Sequence, residues 1–115
     1  MKGTNMKNLK NIYVVSWADL DADANVMTSG TCTDIFSSYE KARAMIESMI
    51  DQVVNDDMYA FDENDYEDVY GTKDKAAIKR KFICRDTHDF IIVQNPNTGY
   101  ENQYTITKYS LEYVK

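Results

Sequence analysis

Between Ser37 and Asn55 the chain carries one pattern that leaves little choice of structure. Ala42, Met45, Ile46, Met49, Ile50, Val53 and Val54 recur at three- and four-residue spacing, while Lys41, Arg43, Glu47, Ser48, Asp51 and Gln52 fill the positions between them. Apolar residues at that spacing form one stripe on a helix; on a strand they would fall on both faces. The stripe is preceded by Ser37-Ser38-Tyr39-Glu40, which has the spacing of a capping box, with Ser37 as cap and Glu40 reaching back to it. These signals predict an amphipathic helix over about 38–55. Such a helix has to bury its stripe against another layer.

The flanking segments supply that layer. Asn11–Ala18 (NIYVVSWA) is rich in β-branched and aromatic residues and reads as a buried strand. Asp19–Gly30 is polar and reads as a long, mobile connection to a second strand, Thr31–Phe36. Beyond the helix, Gly71 is a stop signal, and Thr72 can cap a short second helix over about 73–81. Phe82–Arg85 reads equally well as helix end or strand. Phe90–Gln94 (FIIVQ) reads as a strand, Asn95–Gly99 (NPNTG) as a turn, and Gln103–Val114 as a last strand. In that strand Tyr104 and Ile106 share one parity, whereas Tyr109, Leu111 and Tyr113 share the other. One buried face cannot take both sets, so a bulge or break near Lys108 is expected. Strands, then helices, then strands is an α+β order. The expected fold is a mostly antiparallel sheet of four to five strands with the long helix across one face.

No repeat or Pro/Gly/Ser linker divides the 115 residues, which suffice for one packed core. We read residues 1–10 as a flexible polar segment and 11–115 as a single domain. The first ten residues show no apolar core of a secretory leader, and no apolar run reaches bilayer length. Cys32 and Cys84 lack CxxC spacing, so free thiols in a reducing cytoplasm are expected. The net charge of -6, from 19 acidic and 13 basic residues, weighs against attraction to nucleic acid or anionic membranes.

Acidity concentrates in one place. From Asp51 to Tyr70 there are eight carboxylates and no Lys or Arg, with Tyr59, Phe61, Tyr66 and Tyr70 interleaved. One reading makes this segment an anionic contact surface for a basic groove, with aromatic residues as anchors. The binding residues would then be Asp56, Asp57, Tyr59, Asp62, Glu63, Asp65, Tyr66, Glu67, Asp68 and Tyr70. The other reading makes it a solvated acidic face whose aromatics turn inward and whose charges are met by Lys73, Lys75, Lys79, Arg80, Lys81 and Arg85.

Other clusters carry less. Asp19, Asp21 and Asp23 alternate as calcium-loop oxygens do, but the positions for the loop's glycine and its closing glutamate hold Ala24 and Gly30. No metal and no cofactor is expected. Cys84 and His88, with Asp86 and Asp89, have the residue types of an activated thiolate but no second histidine, oxyanion segment or nucleophile elbow. A non-enzymatic protein is expected. The basic stretch Lys73–Arg85 lacks the aromatic strand motif of sheet-type RNA binders. Nine tyrosines serve equally as interface residues or strand formers.

The segments IYVVSW, IFSSYEKARAMI and YTITKYSLEYV together resemble small accessory proteins of bacteriophage and prophage genomes. The resemblance covers both ends of the domain and transfers no functional residue, because its motifs are a strand and a helix cap. It implies a protein working in the host cytoplasm, often by inhibiting a host defence, as anti-CRISPR proteins do. The expected partner is a host protein or nucleoprotein, with no direct nucleic-acid or membrane contact, and self-association is possible. The alternatives are sequestration of a nucleotide signal, with Lys79, Arg80, Lys81 and Arg85 on phosphate, or a role in virion assembly.

Overall fold

The structure, a computed structural model, describes residues 11–110; the expected flexible segment 1–10 and residues 111–115 lie outside the described residues. The elements run β1 (Asn11–Leu20), β2 (Val26–Phe36), α1 (Tyr39–Met58), a single 3₁₀ turn (Glu63–Asp65), α2 (Tyr66–Tyr70), α3 (Lys75–Phe82), β3 (Ile83–Asp86), β4 (Phe90–Gln94) and β5 (Glu101–Ser110). Five strands form one antiparallel sheet in the order β2-β1-β5-β4-β3, so the fold is α+β. The first and last strands are central neighbours, paired without interruption from Asn11 opposite Ser110 to Leu20 opposite Glu101.

The helix stripe behaves as its spacing predicts. Ala42, Ile46, Ile50, Val54 and Met58 are buried, against Val15 of β1, Ile91 and Val93 of β4, and Tyr104 and Ile106 of β5. Ile78 and Phe82 of α3 complete the same core. The cap is Ser38, not Ser37: Ser38 Oγ accepts from the Lys41 amide at 3.2 Å. That register puts Lys41 at the third helical position, so the expected box between Ser37 and Glu40 does not form. Likewise α3 is capped by Asp74, whose carboxylate accepts from Ala76 N at 3.1 Å, while Thr72 accepts from Asp74 N one step earlier. Gly71 ends α2 with φ 81°, as its position promised.

Two expectations about strands are corrected. The connection after β1 is short, because Asp21 nucleates a tight turn: its Oδ1 accepts from the amides of Asp23 and Asn25, each at 2.9 Å. Those backbone hydrogen bonds, the one from Asn25 foremost, hold the Asp21 carboxyl below its ordinary value. Strand pairing therefore extends through Asp19 and Thr28, which looked like loop. The bulge expected near Lys108 is absent between 101 and 110, where the register with β1 never shifts. Tyr109 lies on the opposite face from Tyr104 and Ile106 and stays exposed, so both parities coexist without a break. Leu111 and Tyr113 lie outside the described residues. Irregularities fall instead between β1 and β2, at Val14/Ser16 and Asp19/Leu20, and between β3 and β4 at Ile83/Arg85.

Candidate functional site

The long helix runs one turn past Asn55, which makes Asp56 and Asp57 part of its last turn. No basic side chain accompanies them there. The last carbonyls of a helix carry its negative pole, so carboxylates at that end are disfavoured. Asp57 is also half-buried, and burial pushes its carboxyl above the ordinary value, opposed in part by hydrogen bonding with Asn95 and reinforced by the neighbouring Asp56 charge. A helix end selected for stability alone would place Lys or Arg here.

The chain then turns through Asp62–Asp65 into α2. Asp62 accepts from Asn64 N at 3.0 Å and starts the 3₁₀ turn. Asp62, Glu63, Asp65, Glu67 and Asp68 all face solvent. Among the described residues only Glu63 of this group forms an ion pair, with Lys75 at 3.1 Å, and both partners are well exposed, which makes the pair weak. The other Lys and Arg ion pairs among the described residues lie elsewhere. Lys79 meets Asp51, and Glu47 at 3.7 Å. Arg43 Nη2 meets Asp86 at 2.7 Å while its Nε holds Glu47 at 3.0 Å. Arg85 lies over the Phe90 ring at 5.8 Å. Internal neutralisation thus falls on the middle of α1, and the carboxylates of the corner keep their charge open to solvent.

The aromatic part of the expected surface divides. Tyr66 and Tyr70 are 2% and 4% exposed and belong to the core, so they are not contact anchors. They sit four residues apart on the inward side of α2. Tyr66 donates its hydroxyl to Met58 O at 3.3 Å, and Tyr70 packs against Phe82 with ring centroids 5.9 Å apart. The spacing Tyr66, Val69, Tyr70 against Glu67 and Asp68 is a one-turn helical pattern, and it was the available signal. The Tyr70 hydroxyl is buried, and among the described residues none stands within hydrogen-bond geometry of it, Asn97 being the polar side chain that influences it. Tyr59, at 77% exposed, and Phe61, at 36%, remain on the surface beside the acids.

Asp56 also closes the rim of a cleft that no sequence pattern announced. The cleft has a volume of about 290 Å³ and lies between Met49, Gln52, Val53 and Asp56 of α1 and, on the sheet, Trp17 and Asp19 of β1 with Asn102 and Tyr104 of β5. Asp19 is fixed from both sides: Oδ1 accepts from Asn102 Nδ2 at 2.6 Å and Oδ2 from Thr28 Oγ1 at 3.0 Å. Burial, aided by the charges of Asp19 and Asp57, pushes the Tyr104 hydroxyl up to about 12. The Trp17 ring passes over Gly30 so closely that a Cβ there would stand 2.8 Å from Cζ2. Gly30 is therefore what lets the indole lie across β2.

The remaining candidates are not assembled. Cys84 Sγ hydrogen-bonds Gln94 at 3.6 Å, while His88 stacks on Tyr39 at 3.9 Å, so the two side chains have different partners. The carboxylates of Asp19 and Asp21 point to different partners, Asp19 to Asn102 and Thr28 and Asp21 to backbone amides of its own turn. Among the described residues no group of three or more His, Cys, Asp or Glu is placed to hold a metal ion. None of Lys79, Arg80, Lys81 or Arg85 lines the cleft. No described helix is long and apolar enough to cross a membrane. No family model matches this chain, and neither a curated protein nor a solved structure is significantly similar to it.

Proposed function

We propose that this chain is a phage-type accessory protein that works by binding, not by catalysis, and that it occludes a basic surface of a host protein or nucleoprotein in the cytoplasm, as an anti-defence inhibitor does. The observation that carries this reading is the row of carboxylates at Asp56, Asp62, Asp65, Glu67 and Asp68, which face solvent without cationic partners among the described residues. A carboxylate row of this kind attracts a basic groove and raises the rate of encounter. Tyr59 and Phe61 beside it supply apolar contact once the surfaces meet. Tyr66 and Tyr70 serve instead as the rigid support beneath.

The test is capture from bacterial lysate by wild type and by a variant carrying Asp62→Asn, Glu63→Gln, Asp65→Asn, Glu67→Gln and Asp68→Asn. Asparagine at 62 keeps the local cap, so melting temperatures should match. The proposal expects a defined set of proteins on the wild type that fades as salt rises, because the screening length shrinks from about 8 Å at 0.15 M to about 3 Å at 1 M. The same set should be missing from the variant. Equal retention by both proteins would sink the reading.

A further inference from the structure

We infer that the cleft between α1 and the sheet is a receptor for a single organic cation, the arginine or lysine side chain of the basic partner. This rests on the reading of the protein as a binder of a basic surface and names where one side chain of that surface enters. Four observations converge on it. The lining holds two carboxylates, Asp19 and Asp56, and no Lys or Arg. Asp19 is already oriented by Asn102 and Thr28, and a carboxylate accepting one hydrogen bond on each oxygen still has acceptor capacity on both. The walls include the rings of Trp17 and Tyr104, and cations are drawn to aromatic faces, to tryptophan most strongly. The carboxyl end of α1, with Asp56 in its last turn, adds the negative pole of a helix to the same side.

Size narrows the occupant. A volume of about 290 Å³ is at the bottom of the range of small-molecule pockets, which runs from roughly 300 to 1,000 Å³. One side chain or small amine fits that space better than a nucleotide does, and the carboxylates repel phosphate. A guanidinium suits the site in detail: its planar face can lie on a ring while its N–H groups reach a carboxylate.

Trp17 is the only tryptophan in the chain, so its fluorescence and its indole N–H resonance report on this cleft alone. The probe is N-acetyl-arginine amide, with N-acetyl-citrulline amide as the neutral isostere and spermidine as a free polyamine. We expect a saturable shift of the Trp17 signal with the arginine probe in the millimolar range, and at least about tenfold weaker binding of the citrulline probe, the loss of one charge-assisted contact. Asp56→Asn should weaken the arginine probe by a similar factor. Gln52→Arg, which tethers a guanidinium at the rim, should weaken it as well. Equal responses to arginine and citrulline, or a Trp17 resonance unmoved at tens of millimolar arginine probe, would overturn the inference. Spermidine binding a hundredfold tighter than the arginine probe would overturn the assignment to a protein side chain. The probe needs no partner, so the cleft and the acidic corner can fail separately. Equal lysate capture by wild type and the five-site variant, with the arginine probe still bound, rejects the corner; capture lost in the variant, with no response to the arginine probe, rejects the cleft.

Discussion

Replacing Asp57 by Asn should make this protein more stable at neutral pH, and the gain should vanish in acid. Asp57 stands in the last turn of α1, half-buried, with Asp56 beside it and no cation in that turn. A carboxylate opposing the negative pole of a helix costs about 0.3–1 kcal/mol. Asparagine keeps the shape and can still bond Asn95, so the variant should gain about that amount at pH 7. Unfolding entropy of about 2.1 cal/mol/K per residue gives about 240 cal/mol/K for 115 residues, so the melting temperature should rise by about 1–4 °C. The sign of the pH dependence follows from the raised native pKa. Between the unfolded value of 3.8 and the higher native value, the native state binds more protons than the unfolded state. Wild-type stability from this group therefore falls as pH rises through that window, and the cost is present in full above it. Urea titrations followed by circular dichroism at pH 3, 5 and 7 should show the two proteins equal at pH 3 and diverging above. A variant less stable than wild type at pH 7, or an advantage that is the same at pH 3, would refute the account of this helix end.

Three further outcomes can be measured by the same titrations. Ser38→Ala should cost about 1 kcal/mol and Ser37→Ala almost nothing, because only Ser38 Oγ meets an orphan helix amide. Tyr70→Phe should be neutral or stabilising by about 1 kcal/mol, since the buried hydroxyl it deletes has no well-placed partner among the described residues, whereas Tyr70→Ala should cost about 3–5 kcal/mol as a core cavity. Gly30→Ala should cost about 1–3 kcal/mol by overpacking and shift the Trp17 emission, because the new Cβ meets the indole at 2.8 Å.

What could be read in the sequence divides along a physical line. The long helix, the strands at Asn11, Phe90 and Gln103, and the stop at Gly71 rest on periodicity and on single residues with one favoured geometry. All of them are present. The errors lie where two local signals compete and tertiary context decides. Ser37 and Ser38 are both good caps, and only the register of the stripe against the sheet selects Ser38. Asp19–Gly30 is rich in polar and turn-forming residues, yet one Asx turn at Asp21 suffices to zip most of it into strands. The expected bulge assumed that large residues must share one face, but this sheet leaves Tyr109 52% exposed on the other. The cleft was out of reach altogether. Trp17, Gln52 and Tyr104 are far apart in sequence and meet only because the first and last strands are neighbours beneath α1.

The acidic segment has features of both readings. The aromatics at 66 and 70 turn inward and the charges of Glu47 and Asp51 are met by Lys79, as a solvated structural face requires. At the end of α1 the pattern differs: Asp56 and Asp57 stand where the helix dipole disfavours them, while Glu67 and Asp68 open α2, where it favours them. Of the exposed acids from Asp56 to Asp68 only Glu63 has an ion-pair partner among the described residues. A cost at that helix end which the fold does not need, with Asp56 also on the rim of a cleft lined by a second carboxylate, is what the proposed cationic partner would exploit. The stability gain predicted for Asp57→Asn and the affinity loss predicted for Asp56→Asn are two measures of that cost. If neutralising this corner raised stability and left every binding readout unchanged, the acids would be an unoptimised helix end and nothing more.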